Sequence, residues 1–221
     1  MKLATMAGPH ALAAALAVPS RRDLAETFGK AAIVSLYTLM AVRLGVDFLE
    51  TGRLTGLLLL ASETLVIILT VFRRAPAVID RSFRARGLAV LSLLGPLAVR
   101  PANTGAFVPG SWTVAVSAAG LLVVIAGKLS LGRSFGLMPA NRGVVCTGLY
   151  RIVRHPIYVG YVVTHLAFLA EHPSAWNIAV LAIGDIALMA RAACEEATLA
   201  RDARYREYQA RVRWRIVPGV F

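Results

Sequence analysis

Gly148-Leu149-Tyr150-Arg151-Ile152-Val153-Arg154-His155-Pro156-Ile157-Tyr158-Val159-Gly160 is the stretch on which the reading of this chain turns. It sets two arginines, a histidine and two tyrosines between long apolar runs. Such side chains are costly in lipid unless they face a cavity or the water boundary. Pro156 has no N–H to donate and biases His155 away from the α conformation, so a new helix is predicted to begin there. The N–H groups of its first turn would point the positive end of the helix dipole at whatever binds. Two readings fit: a polar, anion-friendly pocket at the mouth of a membrane helix, or an interfacial anchor with arginines on lipid phosphates and tyrosines in an aromatic belt.

The flanking runs set the class. Of the 221 residues, 57% are hydrophobic and 16% charged, whereas soluble globular chains average ~45–50% and ~25%. An ordinary soluble domain is excluded. The net charge of +12 comes in short basic groups between apolar segments, the pattern of cytoplasmic loops and not of a nucleic-acid patch. Cys146 and Cys194 have neither zinc-type spacing nor a secreted disulfide pattern, and are expected as free thiols in a reducing compartment. Residues 1–18, with Lys2 and an Ala-rich run, faintly resemble a signal peptide. The run is weakly apolar and Arg21-Arg22-Asp23 follows, so a retained arm is expected.

A membrane helix needs about 20 mainly apolar residues. Six candidate spans appear: Ala31–Leu49, Leu54–Phe72, Gly87–Val99, Trp112–Leu131, Pro156–Ala170 and Trp176–Ala190. Arg43 and Asp47 in the first are four apart and placed to pair. The third is short, and Gly95-Pro96 predicts a kink or an angled helix. With the N-terminus inside, twenty-one of the twenty-four Lys and Arg fall in inside segments, leaving Arg43, Arg53 and Arg100 outside. Both termini are therefore expected in the cytoplasm. The expected class is an all-α polytopic membrane bundle of about six helices. Its parts are an N-terminal arm (1–30), membrane helices (31–127) and a C-terminal region (128–221) with a cytoplasmic site. The Arg-rich, Ala-rich composition suits a high-GC bacterial genome, hence a bacterial inner membrane.

A second polar constellation lies at Arg191-Ala192-Ala193-Cys194-Glu195-Glu196. If the sixth helix continues, Arg191 and Glu195 share a face one turn apart. They would bind a cationic cofactor beside an anionic substrate, or form a surface ion pair of little worth. Tyr205 and Tyr208 are also helical neighbours, suited to an adenine pocket or to the membrane surface. Glu63 and Asp185 lie mid-span, where acids usually face a bundle interior and pair across helices. The alternative for both is to line a substrate access path. His165, next to Thr164, is expected as a satisfied packing histidine.

The ordered set Gly132-Arg133-Ser134-Phe135, Gly148-x-Tyr150-x-x-x-Arg154-His155-Pro156-x-Tyr158-x-Gly160, Arg191-x-x-x-Glu195-Glu196, Tyr205-x-x-Tyr208 and Arg213-x-Arg215-x-x-Pro218 resembles the isoprenylcysteine carboxyl methyltransferase family of integral-membrane methyltransferases. The resemblance covers about residues 128–221. It implies S-adenosylmethionine as methyl donor, bound on the cytosolic side. Carried over by position, it implies cofactor contacts at Arg142, Gly143, Val144, Val145, Tyr150, His155, Pro156, Ile157 and Tyr158. Glu195 matches a cofactor-binding carboxylate and Arg191 the arginine that holds the acceptor, so these two carry the catalytic roles. Glu196, Tyr205 and Tyr208 are implied around the cofactor pocket. Leu149 stands where the family often has proline, and Gly136–Asn141 maps onto no pattern.

Methyl transfer from a sulfonium to a carboxylate is a single in-line displacement that needs no general base, and no metal is implied. The setting points to a lipophilic small-molecule or lipidated acceptor, with membrane lipid as surroundings and no nucleic acid. Two other readings stay open. A sterol-reductase-like, NADPH-using enzyme shares an Arg-His-Pro-x-Tyr-x-Gly helix start, although Glu195-Glu196 and the short chain argue against it. A non-catalytic binding or scaffold protein of the same fold is the other.

Overall fold

The computed structural model describes residues 21–52, 54–100 and 106–219. The signal-like stretch 1–18, Arg53 and the first half of the loop between the third and fourth spans lie outside the described residues. Among those described, seven α-helices form: α1 (Arg21–Thr51), α2 (Leu54–Phe72), α3 (Phe83–Leu97), α4 (Gly110–Leu131), α5 (Pro156–Glu171), α6 (Ala175–Leu199) and α7 (Ala203–Arg211). A two-residue strand, β1 (Val78–Ile79), pairs antiparallel with β2 (Ala140–Asn141).

Local chemistry fixes the helix starts. The Ser82 hydroxyl accepts from Ala85 N at 3.1 Å before α3, and that of Ser174 accepts from Asn177 N at 3.1 Å before α6. Each satisfies an N–H that the first turn leaves without a partner. Pro156 opens α5, as its missing donor predicts.

All six expected runs are helical, but they differ in reach. Stretches of α1, α2, α4 and α6, namely Thr27–Glu50, Leu54–Phe72, Gly110–Ser134 and Ala175–Leu199, are long and apolar enough to cross a membrane. The helices α3 and α5 have 15 and 16 residues. At 1.5 Å per residue they rise about 22 and 24 Å, short of a ~30 Å hydrocarbon core. Four helices therefore meet the length and composition of a span. Two boundaries also move: α1 begins at Arg21, inside the stretch expected as an arm, and α6 runs past Ala190 to Leu199.

Contacts sort the connections into two ends. At one, Trp176 Nε1 donates to Ala98 O (2.9 Å), Asn177 bonds the backbone of Arg100 in both directions, and Phe107 N donates to Ala170 O (2.9 Å). At the other, Arg74 N donates to Arg133 O (2.8 Å), β1 meets β2, and Arg154 N donates to Trp214 O (2.9 Å). Segments 73–82, 132–155 and 200–219 are thereby gathered at one end of the bundle.

Inside, small residues let backbones approach. A Cβ on Gly160 of α5 would lie 2.6 Å from Gly120 O and from Val124 Cγ2 of α4, and one on Gly95 of α3 would lie 3.0 Å from the Gly184 Cα of α6. Such small-residue contacts are the usual means of joining helices in lipid, where apolar burial drives nothing. Both mid-span acids have cationic or imidazole partners on another helix. Glu63 stands 3.6 Å from the Lys128 ammonium, and Asp185 Oδ1 lies 2.7 Å from His165 Nδ1. Gly160→Ala is expected to cost about 1–3 kcal/mol, the range for overpacking a close contact. It should show as a lower thermal midpoint in detergent. Gly87→Ala, where a Cβ meets nothing within 4 Å, should leave the midpoint equal or higher, since alanine favours the helix by about 0.5–1 kcal/mol over glycine.

Candidate functional site

The gathered end is shaped by turns that side chains with a Cβ do not readily make. Gly132 (φ 47°) ends α4, and Gly143 (φ 106°) and Gly148 (φ 60°) punctuate the loop that follows. A Cβ on Gly148 would collide with the Ser130 hydroxyl as well, so that position is closed twice over. The 3-10 turn Gly148–Arg151 then buries Tyr150, whose carbonyl accepts from the Tyr208 hydroxyl at 2.8 Å. His155 N donates to Arg215 O at 2.9 Å beside the Arg154–Trp214 bond. The closing basic segment thus clasps the start of α5.

Glu196, 4% exposed, is the centre of that clasp. Its Oε1 lies 3.1 Å from both Arg154 Nε and His155 Nε2, while Oε2 accepts from Arg215 Nε at 3.0 Å. One carboxylate on α6 therefore ties the α5 entrance to the C-terminal segment. Glu195 points elsewhere. Its Oε1 accepts from the Tyr158 hydroxyl at 2.8 Å and from Arg191 Nε at 3.1 Å, and its Oε2 stands 3.8 Å from His155 Nδ1. The Arg191 guanidinium lies over the Tyr158 ring, 5.7 Å from its centroid, and His155 stacks on the same ring at 5.1 Å. The i, i+4 spacing expected of a continuing sixth helix is what joins Arg191 to Glu195.

These groups wall a cavity of about 130 Å³. Arg142, Gly143, Val144, Val145, Tyr150, His155, Ile157, Tyr158, Arg191, Glu195, Tyr205 and Tyr208 all line it. Two residues expected at the cofactor do not. Pro156 is buried as the first residue of α5, and Glu196 is spent on the clasp. Sequence reasoning missed Gly136, Leu137, Met138 and Ala140, which cover the cavity, and Arg154 and Tyr161 in its wall. Residues 136–140 carry no charge or aromatic ring to flag them. What puts them there is the β1–β2 pairing and the Asn141 amide, which donates to Asp202 Oδ2 at 3.1 Å.

Electrostatics outside the spans is consistent with an aromatic, partly dry wall. Burial pushes the phenols of Tyr150, Tyr205 and Tyr208 above their ordinary range, so all three stay neutral near pH 7. The Asn141 amide, with the Arg204 N–H, holds the Asp202 carboxyl below its usual value. No cluster of metal-ligating residues occurs among the described residues.

The two acids should separate experimentally. Glu196→Ala removes the carboxylate that Arg154, His155 and Arg215 share, and breaking a buried pair from one side costs about 3–5 kcal/mol; the midpoint in detergent should fall sharply. Glu195→Gln keeps the shape and an acceptor for the Tyr158 hydroxyl but takes the anion from one arginine only, so the midpoint should fall by clearly less than in Glu196→Ala.

No curated protein and no solved structure matches this chain. Residues 114–201, from early α4 to just beyond α6, match the model of the Isoprenylcysteine carboxyl methyltransferase (ICMT) family, so the resemblance drawn from the motifs holds over that stretch of a chain with membrane-spanning helices.

Proposed function

We propose that this protein is a membrane-bound methyltransferase that uses S-adenosylmethionine and acts on a lipophilic acceptor, with a carboxylate as the acceptor group nearest to the family. The observation that carries the reading is the Arg191–Glu195–Tyr158 group in the wall of one cavity. The residues fit the cofactor by type. Glu195 suits its cationic groups, Arg142 and His155 its carboxylate, and the Tyr150, Tyr205 and Tyr208 rings its base.

S-adenosylmethionine, when bound, supplies an electrophilic methyl group. The chain's own task is then alignment, which contributes about 7–11 kcal/mol where reacting groups are well oriented. Arg191 holds the acceptor. Glu195 favours positive charge in the ground state, and that charge is lost during transfer, so its contribution is to binding and not to rate. We read α3 and α5 as crossing the membrane too, because each runs against a longer partner, α6 and α4, close enough that glycines meet. That gives six crossings, both termini and the site in the cytoplasm, and a bacterial inner membrane as location.

Calorimetry on detergent-purified protein tests this. S-adenosylmethionine and its demethylated product should bind in the micromolar range and NADPH should not. Glu195→Gln should weaken both about tenfold or more, since a charge-assisted hydrogen bond is worth about 1.5–3 kcal/mol. Binding of NADPH alone would support the reductase reading instead. Silence from all three ligands in folded protein would leave the scaffold reading.

A further inference from the structure

Gly136, Leu137, Met138 and Ala140 cover the cavity at the gathered end, and the stretch they belong to has no charged or aromatic side chain. A methyl donor that carries a carboxylate and positive charges passes between apolar helices only at high cost. Its way in is therefore the gathered end, where Arg74, Arg81, Arg201 and Arg204 are exposed. The cover stands between that charged surface and the groups in the cavity wall.

Two sides hold the cover. On one, β2 pairs with β1, and Ala77 N donates to Asn141 O (2.8 Å) while Asp80 N donates to Pro139 O (3.0 Å). On the other, β2 lies against α6, and a side-chain bond ties it to the turn after that helix: Asn141 Nδ2 donates to Asp202 Oδ2 at 3.1 Å. Both partners are fully engaged. Asn141 Oδ1 accepts from Gly143 N at 2.9 Å, and Asp202 Oδ1 accepts from Arg204 N at 2.9 Å, which caps α7. Neither side chain lines the cavity, although Asn141 is buried. What their bond does is pin the cover to the helix whose Tyr205 and Tyr208 form part of the cavity wall. The backbone around the cover is built to turn. Phe135 is rooted in the main core, Gly136 follows it, and Gly143 closes the segment at φ 106°. A few loop residues of this kind suffice to absorb the dihedral change of a hinge.

β1 and Asp202 both lie outside the stretch that matches the family. We infer that residues 136–141, with β1, form a gate over the cavity, and that the Asn141–Asp202 bond is the latch that sets how fast S-adenosylmethionine enters and its product leaves. The inference rests on the methyltransferase reading. A bond that touches no ligand supports the free and the filled protein alike. Loosening it raises both rates and leaves their ratio, the affinity, in place.

Surface plasmon resonance on the full chain in detergent, with S-adenosylhomocysteine as the probe, reads both rates. Asn141→Asp keeps the acceptor for Gly143 N and sets one carboxylate against another. Association and dissociation should both quicken about fivefold, the scale of one lost hydrogen bond, with affinity unchanged within about twofold. In Asn141→Asp/Asp202→Asn donor and acceptor change places, the new amide oxygen still caps Arg204 N, and both rates should return to those of the unaltered protein. Asp202→Ser keeps a capping oxygen and should behave as Asn141→Asp does, so it decides the matter if Asn141→Asp lowers the thermal midpoint. An association rate that stays the same in both single variants overturns the proposal. Faster dissociation alone, with affinity falling in step, would make the bond merely structural and overturn it too, as would a double variant that recovers neither rate. Failure of the unaltered protein to bind S-adenosylhomocysteine would instead sink the methyltransferase reading.

Discussion

The Glu196 carboxylate holds together segments that the chain order keeps apart. Arg154 and His155 precede α5, Glu196 lies near the end of α6, and Arg215 belongs to the closing segment. A single anion, nearly excluded from water, stands within ion-pair distance of all three. A buried charge of this kind is tolerable only when its partners are all in place, so the contact is close to all-or-none. It fixes where α5 begins relative to α6, and with that the distance between His155 and Tyr158, at the start of one helix, and Arg191 and Glu195 on the other.

Membrane surroundings explain why so much of the rest is done by few contacts. In lipid, apolar burial gives helices no reason to associate, and packing of small residues and polar pairs takes its place. Gly120 with Gly160 and Gly95 with Gly184 bring two helix pairs into close register. Lys128 with Glu63 joins α4 to α2, and His165 with Asp185 joins α5 to α6. The helix α1 packs along α2, with Tyr37 as its one buried side chain among the described residues.

Much of this was legible before any coordinates. Long apolar runs specify helices because an unpaired backbone has no partner in lipid, and every expected run is one. Pro156 marked the start of α5, and the spacing of Arg191 and Glu195 announced their pairing. Length was less legible. The third run was expected over Gly87–Val99, and the helix instead runs from Phe83, after the Ser82 cap, to Leu97, so its charged first turn was not visible in the apolar pattern. Glu195 and Glu196 are adjacent and identical in type, yet successive positions on a helix face about 100° apart, and only their neighbours reveal that one enters the cavity and the other the clasp.

By itself, then, the sequence determined a helical membrane protein, the helix start at Pro156, and most of the polar and aromatic residues that line one cavity, because these follow from local periodicity, charge and ordered motifs. Tertiary structure decided which glutamate lines the cavity, that residues 136–138 and 140 cover it, and that Tyr37 from the first helix joins the core cluster of Tyr158 and Ala192. Those outcomes depend on contacts between segments up to about 150 residues apart, and no local pattern encodes which distant side chain will occupy a given place.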